Sequence, residues 1–148
     1  MAYFNIDPYN QEEAIISALK GLNMSVFVSS TDNEEYPKQL LKSGVVLPYA
    51  VVSFGSPSRK VSDSSLAGVE FDAYWESVAI KIGGTVEDQV RRMRGRVMNT
   101  LAKLNLPEGY KLIMNGGGRF SNPASITVPL IYAYTLYYTY TFNHVVEF

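Results

Sequence analysis

Two segments of the chain carry hydrophobic residues at helical spacing. The first runs from about Asn10 to Lys20, and its apolar positions, continuing just past that end, are Ile15, Ile16, Leu19 and Leu22. Asn10 with Glu13 three residues later is a capping-box pattern, and Gly21 is expected to end this helix in a left-handed conformation. The second follows a cap at Thr85, and its apolar positions are Val86, Val90, Met93, Val97, Leu101 and Leu104. Steps of three and four residues therefore predict two amphipathic helices, at 10–20 and 85–104.

Alternation and short apolar runs predict strands at 24–28, 45–54, 69–82, 110–114 and 126–142. In 69–82 the apolar positions are odd up to Trp75 and even from Val78, so we expect a bulge or bend near Glu76. The run 126–142 exceeds the length of an ordinary strand, so Pro129 or a bulge is expected to divide or bend it. Strands that do not alternate strictly with helices predict an α+β fold: a mainly antiparallel sheet with two helices packed on one face.

The 148 residues match the size of one domain, and we expect a single domain over 1–148. Serine, glycine and other polar residues predict mobile loops at about 29–37, 56–68 and 115–125. Loops of this length in compact domains are usually functional. Their charged side chains are candidates for contact with a partner: Glu34, Glu35, Arg59, Lys60, Asp63 and Arg119.

The amino-acid composition excludes several kinds of functional site. The chain has 13 basic and 14 acidic residues, a net charge of −1 and no cysteine. Disulfides, a thiolate nucleophile, iron–sulfur clusters and cysteine zinc sites are excluded. The near-neutral charge gives no overall attraction to nucleic acid or to an anionic membrane, so any such contact would be a local patch.

No set of residues indicates catalysis. His144 is the single histidine, and the Gly-x-Ser-x-Gly pattern of serine hydrolases does not occur. Glu70, Asp72 and Glu76 share one face of their strand, with neighbours about 6–7 Å apart, a separation that an inverting glycosidase uses. Nothing apolar beside them would raise their proton affinity, which acid catalysis requires, so we interpret them as a solvated outer face. We expect no enzyme activity, catalytic residue, cofactor or metal site.

Two clusters of residues are candidates for binding a ligand or another subunit. The segment 115–119 contains three glycines followed by Arg119. This is a weak phosphate-binding pattern, and it is more typical of a hairpin tip. Arg91, Arg92, Arg94 and Arg96 are four of the six arginines in the chain. Three interpretations of this cluster remain open. It is a solvated helix face, a site for phosphate or nucleic acid, or a contact with the acidic face of another subunit.

The order of elements along the chain forms a recognisable arrangement. An N-terminal helix and a polar segment are followed by the strand entry Leu47-Pro48-Tyr49-Ala50-Val51-Val52-Ser53. A polar loop, an aromatic strand ending in Ile82-Gly83-Gly84-Thr85, the arginine-rich helix and closing strands complete the arrangement. This arrangement resembles the tail terminator and tail completion proteins of long-tailed bacteriophages.

This resemblance implies a virion protein of the tail or neck, assembled in the host cytoplasm, that forms a homo-oligomeric ring of six subunits. The ring would cap the tail tube and join it to the head connector, with DNA passing through the lumen without sequence-specific binding. Its partners would be its own copies, the tail tube protein and the head connector or neck proteins. Arg91 to Arg96 would serve the subunit contact or the lumen.

Two alternatives remain open. One is another neck or tail component, either a connector-side completion protein or a tail tube subunit. The other is a nucleic-acid or nucleotide binding module that uses the arginine-rich helix.

Overall fold

The computed structural model describes residues 1–28, 48–55, 57–66, 69–115, 119–121 and 132–147. Two helices lie in these ranges, α1 (Pro8–Lys20) and α2 (Glu87–Lys103), together with a 3-10 turn at Pro107–Gly109. The strands are β1 (Ala2–Phe4), β2 (Ser25–Val28), β3 (Tyr49–Phe54), β4 (Ser58–Leu66), β5 (Val69–Gly84), β6 (Ile113–Met114), β7 (Arg119–Ser121) and β8 (Tyr132–Glu147).

The sheet is built around a long antiparallel pair, β5 and β8. Their register runs unbroken from Val69 opposite Glu147 to Gly84 opposite Tyr132. The main path of the sheet is β1-β8-β5-β3-β2, while β4 also pairs with β5, and β6 and β7 pair with β8. Only β2 and β3 are parallel among the described pairs. The predicted α+β class, a mainly antiparallel sheet with two helices packed on it, is confirmed.

Even-numbered residues of the central strands form the core face. In this register Val52, Ile80 and Leu136 lie side by side and are fully buried. The helices complete the same cluster with Ile15 and Leu19 from α1 and with a stripe from α2, which consists of Val90, Met93, Val97 and Leu101. Alternation in the strands and the helical spacing therefore meet in one core.

The expected bulge near Glu76 is wrong. Glu76 pairs with Tyr140 within the continuous β5–β8 ladder, and the even residues of β5 stay on the core face through this point. The shift in register lies instead in β4, between Arg59 and Asp63. The apparent change of phase in the sequence reflects a buried carboxylate on the core face, not an inserted residue.

The predicted loop at 56–68 is largely a strand, because β4 spans Ser58–Leu66 and pairs antiparallel with β5. Its polar side chains gave no strand signal, since a ladder of backbone hydrogen bonds forms independently of side-chain polarity. Leu66 pairs with Val69 at the end of this antiparallel ladder.

The helix ends also differ from expectation. Asp7 caps α1, and its side chain accepts a hydrogen bond from the Tyr9 N–H at 3.1 Å, so Asn10 lies inside the first turn. Pro8 occupies the first helical position, where its fixed φ suits the helix and its missing N–H costs nothing. Gly21 is right-handed, with φ −69°, and α2 is preceded by Val86 rather than by Thr85.

Several expectations lie outside the described residues. These are the loop at 29–37 with Glu34 and Glu35, the break at Pro129, and most of the segment 115–125. The strand expected at 110–114 is reduced to Ile113–Met114, and β8 continues past the expected end to Glu147.

Candidate functional site

Three of the four arginines of α2 point outward because its buried stripe faces the core. Because Val90 and Met93 face the core, Arg91 and Arg92 are exposed, and Arg96 is exposed one turn further along. Arg91 and Arg92, with Asp88 and Arg94, line a shallow depression of about 340 Å³. This depression joins the predicted basic cluster to an acidic residue of the first turn.

Arg94 differs from the other three arginines. Its guanidinium carbon lies 4.3 Å from the centre of the Tyr134 ring on β8, within cation–π distance. Its Nε is buried and has no hydrogen-bond partner. Arg94 therefore fastens α2 to the sheet, which leaves Arg91, Arg92 and Arg96 as the exposed basic patch.

The expectation of a solvated outer face on β5 is wrong for Glu76. Glu76 is only 4% exposed, and its carboxylate accepts a hydrogen bond from the buried Tyr140 hydroxyl. Burial, with a smaller effect from Glu12 on α1, raises the pKa of Glu76 to about 7. Asp72 is half-buried and lies opposite Asp63 of β4 and His144 of β8 in the ladder, and Glu70 is in β5 two residues earlier.

Glu76 lies beside a group of aromatic rings that includes Tyr74 of β5 and residues of β8. Tyr140 packs against Phe142, with ring centres 6.1 Å apart, and Phe142 stacks on Tyr74 at 5.8 Å. His144 joins the same group, with its ring centre 4.9 Å from that of Phe4. Glu76 is therefore part of the packed interior, and the predicted pairing of the acidic face with the arginines of another subunit loses this residue.

The loop candidates are placed in strands where the structure describes them. Arg59, Lys60 and Asp63 belong to β4, and Arg119 begins β7 opposite Thr135 of β8. Glu34 and Glu35 are outside the described residues.

A cavity at the N-terminal end of α1 was not expected from the sequence. It measures about 290 Å³ and is lined by Phe4, Asn5, Ile6, Asp7, Asn10, Gln11, Pro107 and Glu108. Gln11 is 1% exposed, and its Nε2 donates to the Pro107 carbonyl at 3.0 Å. Its Oε1 is buried without a hydrogen-bond partner. The signal was present in the spacing, because Gln11 precedes Ile15 and Leu19 on the buried face of α1.

The far wall of this cavity is a tight turn after α2. Glu108 and Gly109 adopt positive φ angles of 67° and 81°. Two backbone hydrogen bonds hold the turn, from Leu106 N–H to the Tyr110 carbonyl at 2.8 Å and from Gly109 N–H to the Leu106 carbonyl at 3.1 Å. Asn5 donates to the Tyr110 hydroxyl, so β1 and the turn are joined at the cavity. The carboxylate of Glu108 is thus attached to an ordered backbone.

Comparison with known proteins assigns no family: no protein-family model matches the chain, and neither does any curated protein. Among the residues placed in the structure, no group of three or more histidine or acidic side chains is arranged to hold a metal ion. Neither α1 nor α2 combines the length and apolar character that crossing a membrane requires, and no other helix is described.

Proposed function

We propose that this chain is a structural subunit that assembles into a ring, and that the ring is the tail terminator of a long-tailed bacteriophage. It caps the tail tube and joins the tube to the head connector. Exposed surfaces of the subunit support the ring. The likeness of residues 47–53 and 82–85 to tail terminator proteins supports the role in the tail, and so does the α+β fold that this likeness implies.

The observation that carries the ring is that the two strands at the ends of the described path carry exposed apolar side chains. β1 and β2 end the described path of the sheet on opposite sides. The side chains there include Met1, 86% exposed, Tyr3, 40% exposed, and Val28, 54% exposed. Apolar side chains that are exposed on these strands favour burial against another surface.

Two unlike edges on opposite sides produce a head-to-tail contact. A contact of this heterologous kind repeats from subunit to subunit and closes into a ring when the rotation per subunit is a fraction of a full turn. Copies of the chain therefore serve as its first partners. The tail tube and the head connector follow as partners of the two faces of the ring, and DNA passes through its lumen.

Negative-stain electron microscopy of the purified protein, alone and mixed with bacteriophage tail tubes, tests this function. We expect rings with a central opening, seated at one end of each tube. Extension of tubes by added protein would instead assign the chain as a tube subunit. Single particles that leave both tube ends bare would contradict the proposal.

A further inference from the structure

The shallow depression along α2 is lined by charged side chains. Its lining consists of Asp88, Arg91, Arg92 and Arg94, and its volume is about 340 Å³. Three guanidinium groups accompany one carboxylate there, so the lining is positive although the chain as a whole has a net charge of −1. A guanidinium donates two parallel hydrogen bonds to one anionic group, so a cluster of arginines suits an anionic ligand.

The depression lies along the side of α2 and not at its end. Arg91 is the fifth residue of the helix, after the four whose N–H groups have no partner within a helix. Arg92 and Arg96 are four residues apart, on neighbouring turns, and both are exposed. At a rise of about 1.5 Å per residue, Arg96 extends the positive surface by about 6 Å along the axis. An anion that meets the whole surface is therefore extended, as a chain of phosphates is.

Arg94 is held in place before any ligand binds. Its guanidinium carbon lies 4.3 Å from the centre of the Tyr134 ring. A side chain that is already packed loses less conformational freedom when a ligand binds to it. Arg94 therefore fastens α2 to the sheet and also presents a fixed positive charge at the depression.

Gly95 leaves room beside the arginines. It follows Arg91 by four residues and Arg92 by three, so it is their neighbour one turn further along the helix surface. A Cβ on Gly95 would meet nothing within 4 Å, so packing inside the chain does not require glycine at this position. Glycine is less favourable than alanine inside a helix. A ligand that approaches the helix backbone closely between the two arginines would account for it.

The lining also limits the kind of anion that it can recognise. Its four residues are all charged, and none of them is apolar or aromatic. Proteins that bind single-stranded nucleic acid stack its bases on aromatic rings, and small-molecule pockets are mostly apolar. Contacts to the phosphates of a duplex need neither feature, because charge and hydrogen bonds supply them. The lining therefore favours a duplex backbone over a single strand or a nucleotide.

We propose that the depression formed by Arg91, Arg92 and Arg94, extended by Arg96, binds the phosphate backbone of double-stranded nucleic acid without reading its sequence. Passage of DNA through a ring requires no such contact, so this inference goes beyond the proposed function. It also applies to a single copy of the chain. Such binding releases counterions from the phosphates, so it weakens steeply as salt is added.

Fluorescence anisotropy with a short fluorescein-labelled DNA duplex, prepared in two unrelated sequences, measures this binding. We expect the same Kd for both sequences, and a slope of about −2 to −3 for the logarithm of the binding constant against that of the salt concentration, as for three phosphate contacts. Arg91→Gln and Arg92→Gln should each raise the Kd by about tenfold and reduce the size of the slope by about 1. Lys20→Gln, which removes an exposed cation at the end of α1, should change neither. Circular dichroism confirms that the variants remain folded.

A second pair of variants tests the close approach without removing a charge. Gly95→Leu fills the space between the arginines, and Ala102→Leu adds bulk at an exposed position two turns further along α2. We expect Gly95→Leu to raise the Kd for the duplex severalfold and Ala102→Leu to leave it unchanged. Urea unfolding should show both variants to be as stable as the wild type, so that weaker binding does not reflect a loss of structure. An unchanged Kd in Gly95→Leu would overturn the inference.

The other outcomes separate this inference from the proposed function. Equal losses of affinity in Lys20→Gln and Arg92→Gln would overturn the inference, and so would competition by poly-L-glutamate as effective as that by DNA of equal charge, which would assign the patch to an acidic protein surface. Wild-type rings that bind no duplex at low salt would overturn the inference and leave the proposed function intact. A monomeric chain that binds the duplex through Arg91 and Arg92 would support the inference and contradict the ring.

Discussion

Glu76 shows how a single residue acquires its properties from neighbouring strands. Its carboxyl group is buried beneath Tyr140, and its protonated form is the one that burial favours. The native chain therefore binds a proton more tightly than the unfolded chain, in which a glutamate has its ordinary pKa of 4.5. The free energy of unfolding consequently falls as pH rises from about 4.5 to about 7, and it stays at the lower level above that range.

Glu76→Gln should remove this dependence on pH. Glutamine keeps the size of the side chain and an acceptor for Tyr140, but it has no proton to lose. We expect the variant to match the wild type near pH 4.5 and to exceed it by about 2–3 kcal/mol at pH 8, measured by urea unfolding. Glu87→Gln, which alters an exposed carboxylate, is the control. Parallel stability curves for wild type and Glu76→Gln would show that Glu76 is not buried as described.

Gly83 and Gly95 provide a matched pair of alanine substitutions. A Cβ on Gly83 would lie 2.5 Å from the ring of Tyr49, which is fully buried, whereas a Cβ on Gly95 meets nothing within 4 Å. Gly83→Ala should lower the free energy of unfolding by about 1–3 kcal/mol through overpacking. Gly95→Ala should raise it by about 0.5–1 kcal/mol, because alanine restricts the unfolded chain and favours the helix. Equal effects in thermal unfolding would contradict the packing of Tyr49 over Gly83.

The start of α1 is decided by one hydrogen bond. The Asp7 side chain accepts from the Tyr9 N–H, while Asn10 is exposed in the first turn. Asp7→Ala should therefore cost about 1 kcal/mol of stability, and Asn10→Ala should change it little. Urea unfolding compares the two variants directly. A larger loss in Asn10→Ala than in Asp7→Ala would place the cap at the residue that the sequence pattern suggested.

At the scale of elements, the sequence predicted what side-chain periodicity controls. The stripe from Val90 to Leu101 gave α2, and alternation gave β5 and most of β8. β4 was missed because its strand is formed by backbone pairing with β5 and leaves no apolar pattern. The burial of Glu76 was missed because it depends on Tyr140 of the neighbouring strand β8. The unpartnered oxygen of Gln11 was missed because the amide of Gln11 is held by Pro107, which lies far along the chain. Neither contact can be found from the residues that surround each position in the sequence.

At the scale of the whole molecule, the described path of the sheet ends in two different strands, β1 and β2, and α2 carries an exposed basic patch. The proposed ring needs surfaces that differ in this way, because a head-to-tail contact joins two different faces of the subunit. Glu76 is no longer available for the acidic face that the sequence predicted on β5, because it is buried. The exposed basic patch has lost Arg94 but keeps Arg91, Arg92 and Arg96.

A charge placed on an end strand should separate the subunits. Val28→Lys introduces a cation at a half-exposed apolar position of β2, and Tyr137→Lys does the same on β8, which lies inside the main path. We expect Val28→Lys to lower the assembled mass in size-exclusion chromatography with light scattering, without lowering the melting temperature of the subunit. Tyr137→Lys should leave the assembled mass unchanged. Loss of assembly in Tyr137→Lys alone would move the contact away from β2.

The mass of the purified wild-type protein under native conditions tests the central claim most directly. Native mass spectrometry should show one closed species containing several copies of the 16.5 kDa chain, with six copies expected for a tail terminator. The same closed species should persist on dilution into the micromolar range. A spectrum that contains only the 16.5 kDa monomer would contradict the account.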